Sequence, residues 1–226
     1  MSNTKFFVAA LCAVMVAAPL SAARKSDPNS LEEVVKKVQQ IQKTTRTLQA
    51  DFRQEKELAL LSKPEVSTGT FTFSAPTNVL WVYDSPKRVQ MLIANGMLTT
   101  YYPDLRKAEQ VDVKRFQDRI FKYMGASGAI DELSRYFDFT FTNKPSETTY
   151  LLDLKPKTGA VAKRVQRIKL WIDKKSYLTS KIEYTEGDGD VTKYEFTHLR
   201  VNEPVAQSRF VLNLPANVRV EQMKLQ

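Results

Sequence analysis

The sequence predicts a mainly β (α+β) fold: one curved antiparallel sheet of about ten or eleven strands, with an N-terminal helix and a helical insert over its concave face. Three observations predict it. Apolar residues alternate with polar ones in many short runs, the mark of strands with one buried face. Turn residues part these runs after a few positions, too few for a parallel crossover, so neighbours run antiparallel. Only Ser30–Thr45 and Lys114–Tyr136 place apolar residues at helical spacing.

In chain order, Leu31, Val34, Val35, Val38, Ile41 and Gln42 recur every three or four residues, while Glu32, Lys36, Lys37 and Gln40 face away. Asn29 or Ser30 can cap this helix, with Glu33 three residues after Ser30 as in a capping box. Leu48, Ala50, Phe52 and Gln54 begin the strands, and polar Glu55–Glu65 is a loop or a frayed hairpin end. Gly69–Pro86 reads as a hairpin: Phe71 and Phe73 alternate before Ala75-Pro76-Thr77-Asn78 turns the chain. Val79, Trp81 and Tyr83 then share one face, with Leu80 and Val82 on the other. Val89, Met91 and Ile93 precede Asn95-Gly96, a strong two-residue turn signal, and Leu98–Tyr102 and Ala108–Val113 continue the sheet.

In the insert, Phe116, Ile120, Phe121 and Met124 form one helical run; Gly125–Gly128 breaks it, and Ile130, Leu133, Tyr136 and Phe137 begin another. Strands resume with Phe137, Phe139 and Phe141, then Tyr150, Leu152 and Leu154, then Ile168, Leu170 and Ile172. Ile182 and Tyr184 pair with Tyr194 and Phe196 around Gly187-Asp188-Gly189, and Phe210, Leu212 and Leu214 read as a closing strand. No Pro/Gly/Ser-rich linker divides the chain, so residues 24–226 are expected to form one domain.

Residues 1–23 have the pattern of a cleavable secretory signal. Lys5 precedes an apolar run to Ala18, and Ser21-Ala22-Ala23 sets cleavage after Ala23. Cys12 falls early in the apolar run, without a convincing lipobox, and leaves with the leader. The mature chain then has no cysteine, hence no disulfide or thiolate chemistry, and no later stretch long enough to span a bilayer as a helix. The expected place is the periplasm, as a soluble protein.

The chain holds 34 Lys+Arg against 25 Asp+Glu, a net charge of +9, and losing Lys5 with the leader lowers it by one. Export argues against a nucleic-acid partner. Anionic lipid headgroups and acidic partners are compatible with this charge, and a solvated basic surface is the simplest account.

Catalytic signals are absent. One histidine, His198, shares an alternation with Tyr194 and Phe196 and reads as a satisfied strand residue. Without a second histidine or a mature cysteine the usual zinc ligand sets cannot form, so no metal site and no cofactor are expected. No Gly-x-Ser-x-Gly elbow accompanies the serine of Gly125–Gly128, and Glu186–Asp190 is a hairpin turn lacking the length of an EF-hand loop. The sequence reads as a non-enzyme; an esterase using Ser127 and His198 is a distant alternative.

Apolar surface is what remains in excess: 12 Phe, 9 Tyr and 2 Trp, much of it on one face of successive strands. A strongly curved sheet cannot always fill its interior with its own side chains. A solid core and a ligand-binding hollow fit the pattern equally well.

An ordered set of motifs resembles the LolA family of periplasmic lipoprotein carriers. Phe52-x-Gln54 follows a short amphipathic helix. Gly69-x-Phe71-x-Phe73-x-x-Pro76 is followed by Trp81 and Pro86. Asn95-Gly96 and Tyr101-Tyr102-Pro103 come next, and Arg209-Phe210-Val211-Leu212-x-Leu214-Pro215-x-x-Val218 matches the closing segment. The resemblance implies an unclosed β-barrel whose helices form a lid over an apolar hollow. It implies a monomeric chaperone that shelters the acyl chains of acylated lipoproteins. These would come from an inner-membrane lipoprotein-releasing ABC exporter and pass to an outer-membrane lipoprotein acceptor. Phe71, Phe73, Val79, Trp81 and Tyr83 would line the hollow with Met91 and Ile93, completed by Phe52 and by Val34, Val38 and Ile41 of the helix. The better-known members of that family carry an arginine, tying the lid, before the proline matched by Pro76; here it is Ala75, so Arg88 or Lys87 takes its role or the lid closes differently. The alternatives are an envelope sensor or scaffold domain, and a carrier of another lipid, on the same half-barrel.

Overall fold

The computed structural model describes residues 27, 29–58, 62–114 and 129–224, with the backbone alone for 129–132. The expected leader, Cys12, the first insert helix (Phe116–Met124) and Ser127 lie outside the described residues.

Ser30 caps helix α1 (Leu31–Thr44): its Oγ accepts from the Glu33 amide at 3.3 Å. Glu32 and Glu33 add negative charge at the positive end of the helix dipole. Then come β1 (Thr47–Glu57), β2 (Glu65–Ser74), β3 (Asn78–Ser85), β4 (Val89–Ala94), β5 (Met97–Tyr102) and β6 (Lys107–Asp112). The strands on either side of Glu55–Glu65 reach into that stretch, so the hairpin is longer than the alternation alone suggests. At the tight turn between β4 and β5, Asn95 and Gly96 both take left-handed angles, φ 53° and 76°, as a two-residue hairpin requires.

After a short helix α2 (Ala129–Tyr136) run β7 (Phe137–Asn143), β8 (Thr149–Pro156), a single turn α3 (Gly159–Ala162), β9 (Val165–Asp173), β10 (Thr179–Glu186), β11 (Val191–Val201) and β12 (Arg219–Met223). All twelve belong to one sheet, ordered β12-β6-β5-β4-β3-β2-β1-β11-β10-β9-β8-β7. Its two end strands do not pair with each other, so the barrel is unclosed. The fold class matches the expectation, with two local corrections.

The first concerns Phe210–Leu214, which is not a strand. Phe210 ends a 3-10 turn (Gln207–Phe210) and packs on the convex face against Leu80 and Leu92, with Val82, Val205 and Leu212 around it. Leu80 and Val82 are the outward residues of β3, and this crossing segment is what covers them. Alternation there reflects packing against a sheet face rather than hydrogen bonding within it. The second correction follows: past Pro215 the chain reaches the free edge of β6 and adds β12 in parallel, Arg219 opposite Lys107, the one parallel pair among the described residues. Lys107 bridges Glu109 and Glu221 at 2.7 and 2.9 Å across that seam.

The convex face of the other half is polar. Cross-strand pairs run across it in sequence: Asp153–Arg167, Lys169–Glu183, Lys181–Glu195 and Lys193–Glu57. Each exposed pair contributes little by itself, and the array solvates this face. On the concave side one core cluster joins Val34 and Val38 of α1 to Leu133, Phe137, Tyr150, Leu152, Leu154 and Ile172. A second gathers Phe52, Phe71, Phe73, Val79, Ile93 and Val113.

Candidate functional site

Between the two concave clusters lies a hollow of about 580 Å³. Strands β1–β5 supply one wall, including Leu48, Phe71, Phe73, Trp81, Tyr83, Met91, Ile93 and Leu98. Strands β9–β11 and the β9–β10 loop supply the other, including Ile168, Leu170, Tyr177, Ile182, Tyr184, Tyr194, Phe196 and Leu199. Val38, Ile41, Gln42 and Thr45 of α1 and its C-terminal cap roof it.

Register places the rings. Phe71 lies opposite Trp81, Trp81 opposite Met91, and Phe52 opposite both Gly69 and Phe196. The bare Gly69 matters here. A Cβ at that position would lie 1.9 Å from the Val82 carbonyl oxygen and 2.9 Å from the Phe52 ring. Without one, Phe52 leans across and meets Trp81 and Tyr83 edge-on, each at 4.9 Å between centroids. Trp81 also touches Phe71 at 4.8 Å and Tyr194 at 5.4 Å. Edge-to-face rings hold one another in place, and Tyr194 braces this wall from the opposite side.

Of the residues expected at the hollow, Val38, Ile41, Phe71, Phe73, Trp81, Tyr83, Met91 and Ile93 form its surface. Val34, Phe52 and Val79 do not reach it; at 0, 3 and 1 % exposure they are solid core behind it. Sequence reasoning left out the far wall. The alternation of Ile168 with Leu170, Ile182 with Tyr184 and Tyr194 with Phe196 was visible; that β11 pairs with β1, folding this wall over the first, was not.

Among the described residues, polar groups at the hollow are few and uncharged. The Gln54 Nε2 donates to the Tyr194 hydroxyl at 2.6 Å, and the Tyr83 and Tyr194 oxygens lie 3.4 Å apart. Burial pushes both phenols above their ordinary range, so both stay protonated. The Gln42 Oε1 is buried and has no partner among the described residues. Among the described residues no Asp, Glu, His, Lys or Arg side chain lines the space. Among the described residues no group of His, Cys, Asp and Glu is arranged to hold a metal ion.

His198 requires a correction. A bulge between β1 and β11 shifts the register at Gln49/Asp51, and His198 takes a left-handed φ of 50°. The alternation slips by one: Leu199 lines the hollow, and His198 stands 81 % exposed outside, its Nδ1 2.8 Å from Asp51 Oδ2.

The roof is tied at both ends. Tyr150 donates to Asn29 Oδ1 at 2.8 Å, and Lys37 Nζ donates to the Tyr177 hydroxyl at 2.9 Å. At the other end Asn202 accepts from the Arg46 amide at 2.7 Å and donates to the Thr44 carbonyl at 3.3 Å. Ala75 contributes its backbone, its amide donating to the Arg46 carbonyl at 2.7 Å. Arg88 is paired with Asp104, and among the described residues Lys37 is a cation that bonds the helix to the far wall.

Such a site can do one thing well: keep an apolar guest away from water. Residues 43–213 match the family model described as "Outer membrane lipoprotein carrier protein LolA". The chain belongs to the LolA family. Among the LolA relatives, an outer-membrane lipoprotein carrier protein of Methylococcus capsulatus is 30 % identical over 182 residues, 78 % of this chain and 82 % of that one. Its counterpart in Pseudomonas fluorescens Pf0-1 is 26 % identical over 192 residues, 83 % of this chain and 88 % of that one. An uncharacterized conserved protein of Thermus thermophilus shares the fold alone, at TM-score 0.55 and 9 % identity, covering 85 % of this chain and 98 % of the other. So does Pseudomonas aeruginosa MucB from its complex with MucA, at TM-score 0.53 and 13 % identity, over 84 % of this chain and 63 % of that one.

Proposed function

We propose that this chain is a non-enzymatic carrier that shelters the acyl chains of lipoproteins in the hollow between α1 and the sheet. The observation that carries the reading is an uncharged, ring-walled space of about 580 Å³ in a member of this family. An engineered cavity of about 150 Å³ admits benzene, or roughly 25 Å³ per carbon, so the hollow has room for about twenty carbons. That is the volume of about one long acyl chain.

Affinity follows from burial, at ~0.8 kcal/mol for each methylene removed from water. Release without a nucleotide requires the next site to bind more tightly, and a lid with two packings sets that difference. On this reading residues 1–23 direct export and are cut after Ala23, and residues 24–226 act as one monomeric domain in the periplasm. An inner-membrane lipoprotein-releasing ABC exporter loads it and an outer-membrane acceptor unloads it.

The test is a binding titration with a synthetic N-terminally acylated peptide, beside mass spectrometry of organic extracts of the purified protein. Expected are acyl lipids in the extract and saturable binding. Met91→Glu, which sets an unpaired charge on the wall, should abolish binding while the circular dichroism melt persists. A folded protein that takes up no acyl chain would overturn the reading. A stable protein partner without lipid would favour the sensor or scaffold role instead.

A further inference from the structure

The end of the hollow remote from the helix cap has a donor without an acceptor among the described residues. Leu48 lies near the cap and Gln54 lies beside Tyr194, six residues or about 20 Å further along β1. Tyr83 and Tyr194 both face the hollow there, and each phenol has one proton to give. The Tyr194 oxygen already accepts from Gln54, so its own proton must go elsewhere; the partner within reach is the Tyr83 oxygen, at 3.4 Å. That separation is loose beside the ~2.7–2.8 Å usual between hydroxyl oxygens. Whichever phenol donates across it, the other proton has no acceptor among the described residues.

One oxygen placed about 2.8 Å from both phenol oxygens would take both protons, closing a triangle on the existing base. Its chemistry is constrained. Among the described residues no cation lines this space, so a carboxylate would enter it at a large desolvation cost. A neutral carbonyl loses less and gains two donors that stay protonated at every physiological pH. We propose that Tyr83 and Tyr194, with Gln54 as the positioning residue, form a carbonyl-binding subsite for the ester that joins an acyl chain to its glycerol. This rests on the acyl-carrier reading above. The hydrocarbon lies along the ring wall and its ester marks the end of the site, so the subsite sets how deep a chain enters.

The experiment compares two neutral probes of equal chain length, 1-palmitoylglycerol and its ether analogue 1-O-hexadecylglycerol, by calorimetric titration. The unsubstituted protein should bind the ester about tenfold more tightly, the worth of roughly one net hydrogen bond. Tyr83→Phe and Tyr194→Phe should each erase that preference, the ester losing about tenfold more affinity than the ether. A ¹³C-labelled ester carbonyl should absorb at lower infrared frequency when bound to the unsubstituted protein, a readout that needs no variant to fold. Equal affinity for the two probes, or a preference that both Phe variants retain, overturns the subsite and leaves the acyl hollow standing. Failure of both probes to bind overturns the acyl reading and the subsite with it.

Discussion

On β8 and β9, Leu152, Leu154 and Ile172 have no exposed surface, and Val34 of α1 is packed into the same cluster. On β3 and β4, Trp81, Tyr83 and Met91 border empty space. Both regions are concave-facing strands with the same alternation, and the difference between them comes from the helix. Within α1, Val34 is solid core, Val38 belongs both to that core and to the hollow's surface, and Ile41 and Gln42 overhang the hollow. One short helix fills one half of the sheet with its first turns and roofs the gap beside it with its last. An apolar face therefore becomes core or cavity according to what the opposite element delivers, and α1 delivers only near its start.

The largest test of that contrast is a pair of truncations. Leu154→Ala should cost about 2–5 kcal/mol by urea unfolding, because it opens a void in close-packed surroundings. Met91→Ala, whose side chain already borders empty space, should cost about 1 kcal/mol or less. Equal losses would erase the distinction between the halves.

A smaller effect lies on the convex side of the filled half. Hydrogen bonding from Arg167 holds the Asp153 carboxyl below its usual 3.8, against the opposing pull of burial. A depressed folded value contributes stability above the unfolded value, and that contribution is lost as pH falls through the folded one. Asp153→Asn should therefore lower the melting temperature by a constant amount between pH 5 and 7. The gap should shrink below about pH 4, where the parent carboxylate takes up its proton. A gap independent of pH would show that the pair adds nothing through charge.

The smallest effect concerns the roof. Lys37→Met removes the tie to Tyr177 but leaves Val34 and Val38 in the core. The expected result is faster hydrogen exchange at the α1 amides with no measurable change in the global unfolding midpoint. Unchanged α1 exchange would mean that apolar packing alone holds the helix over both halves.

Much of this was legible in the residues. Ser30 and Glu33 announce the helix, Asn95-Gly96 announces a hairpin, and the Phe71/Phe73 and Trp81/Tyr83 alternations mark the wall. What local pattern cannot carry is which strands become neighbours and what lies over them. Val34, Phe52 and Val79 have the same apolar character as the lining residues, and only their depth separates them. Phe210 and Leu212 alternate like a strand because they lie against one side of a sheet. His198 left its expected face through a single left-handed residue, a step that no periodicity records.

One consequence of the strand order concerns time. The runs β2–β6 and β7–β11 are each made of neighbours in sequence, whereas β1 at the middle of the sheet must wait for β11, with Phe52 opposite Phe196. A chain emerging from its N-terminus therefore holds β1 with one edge unmatched until nearly all of it has been delivered. Tyr194 and Phe196 arrive on that last long strand, and without them Trp81 faces no second wall. The hollow comes into being only with the joining of β1 to β11, so a partly delivered chain has nowhere to hold a guest.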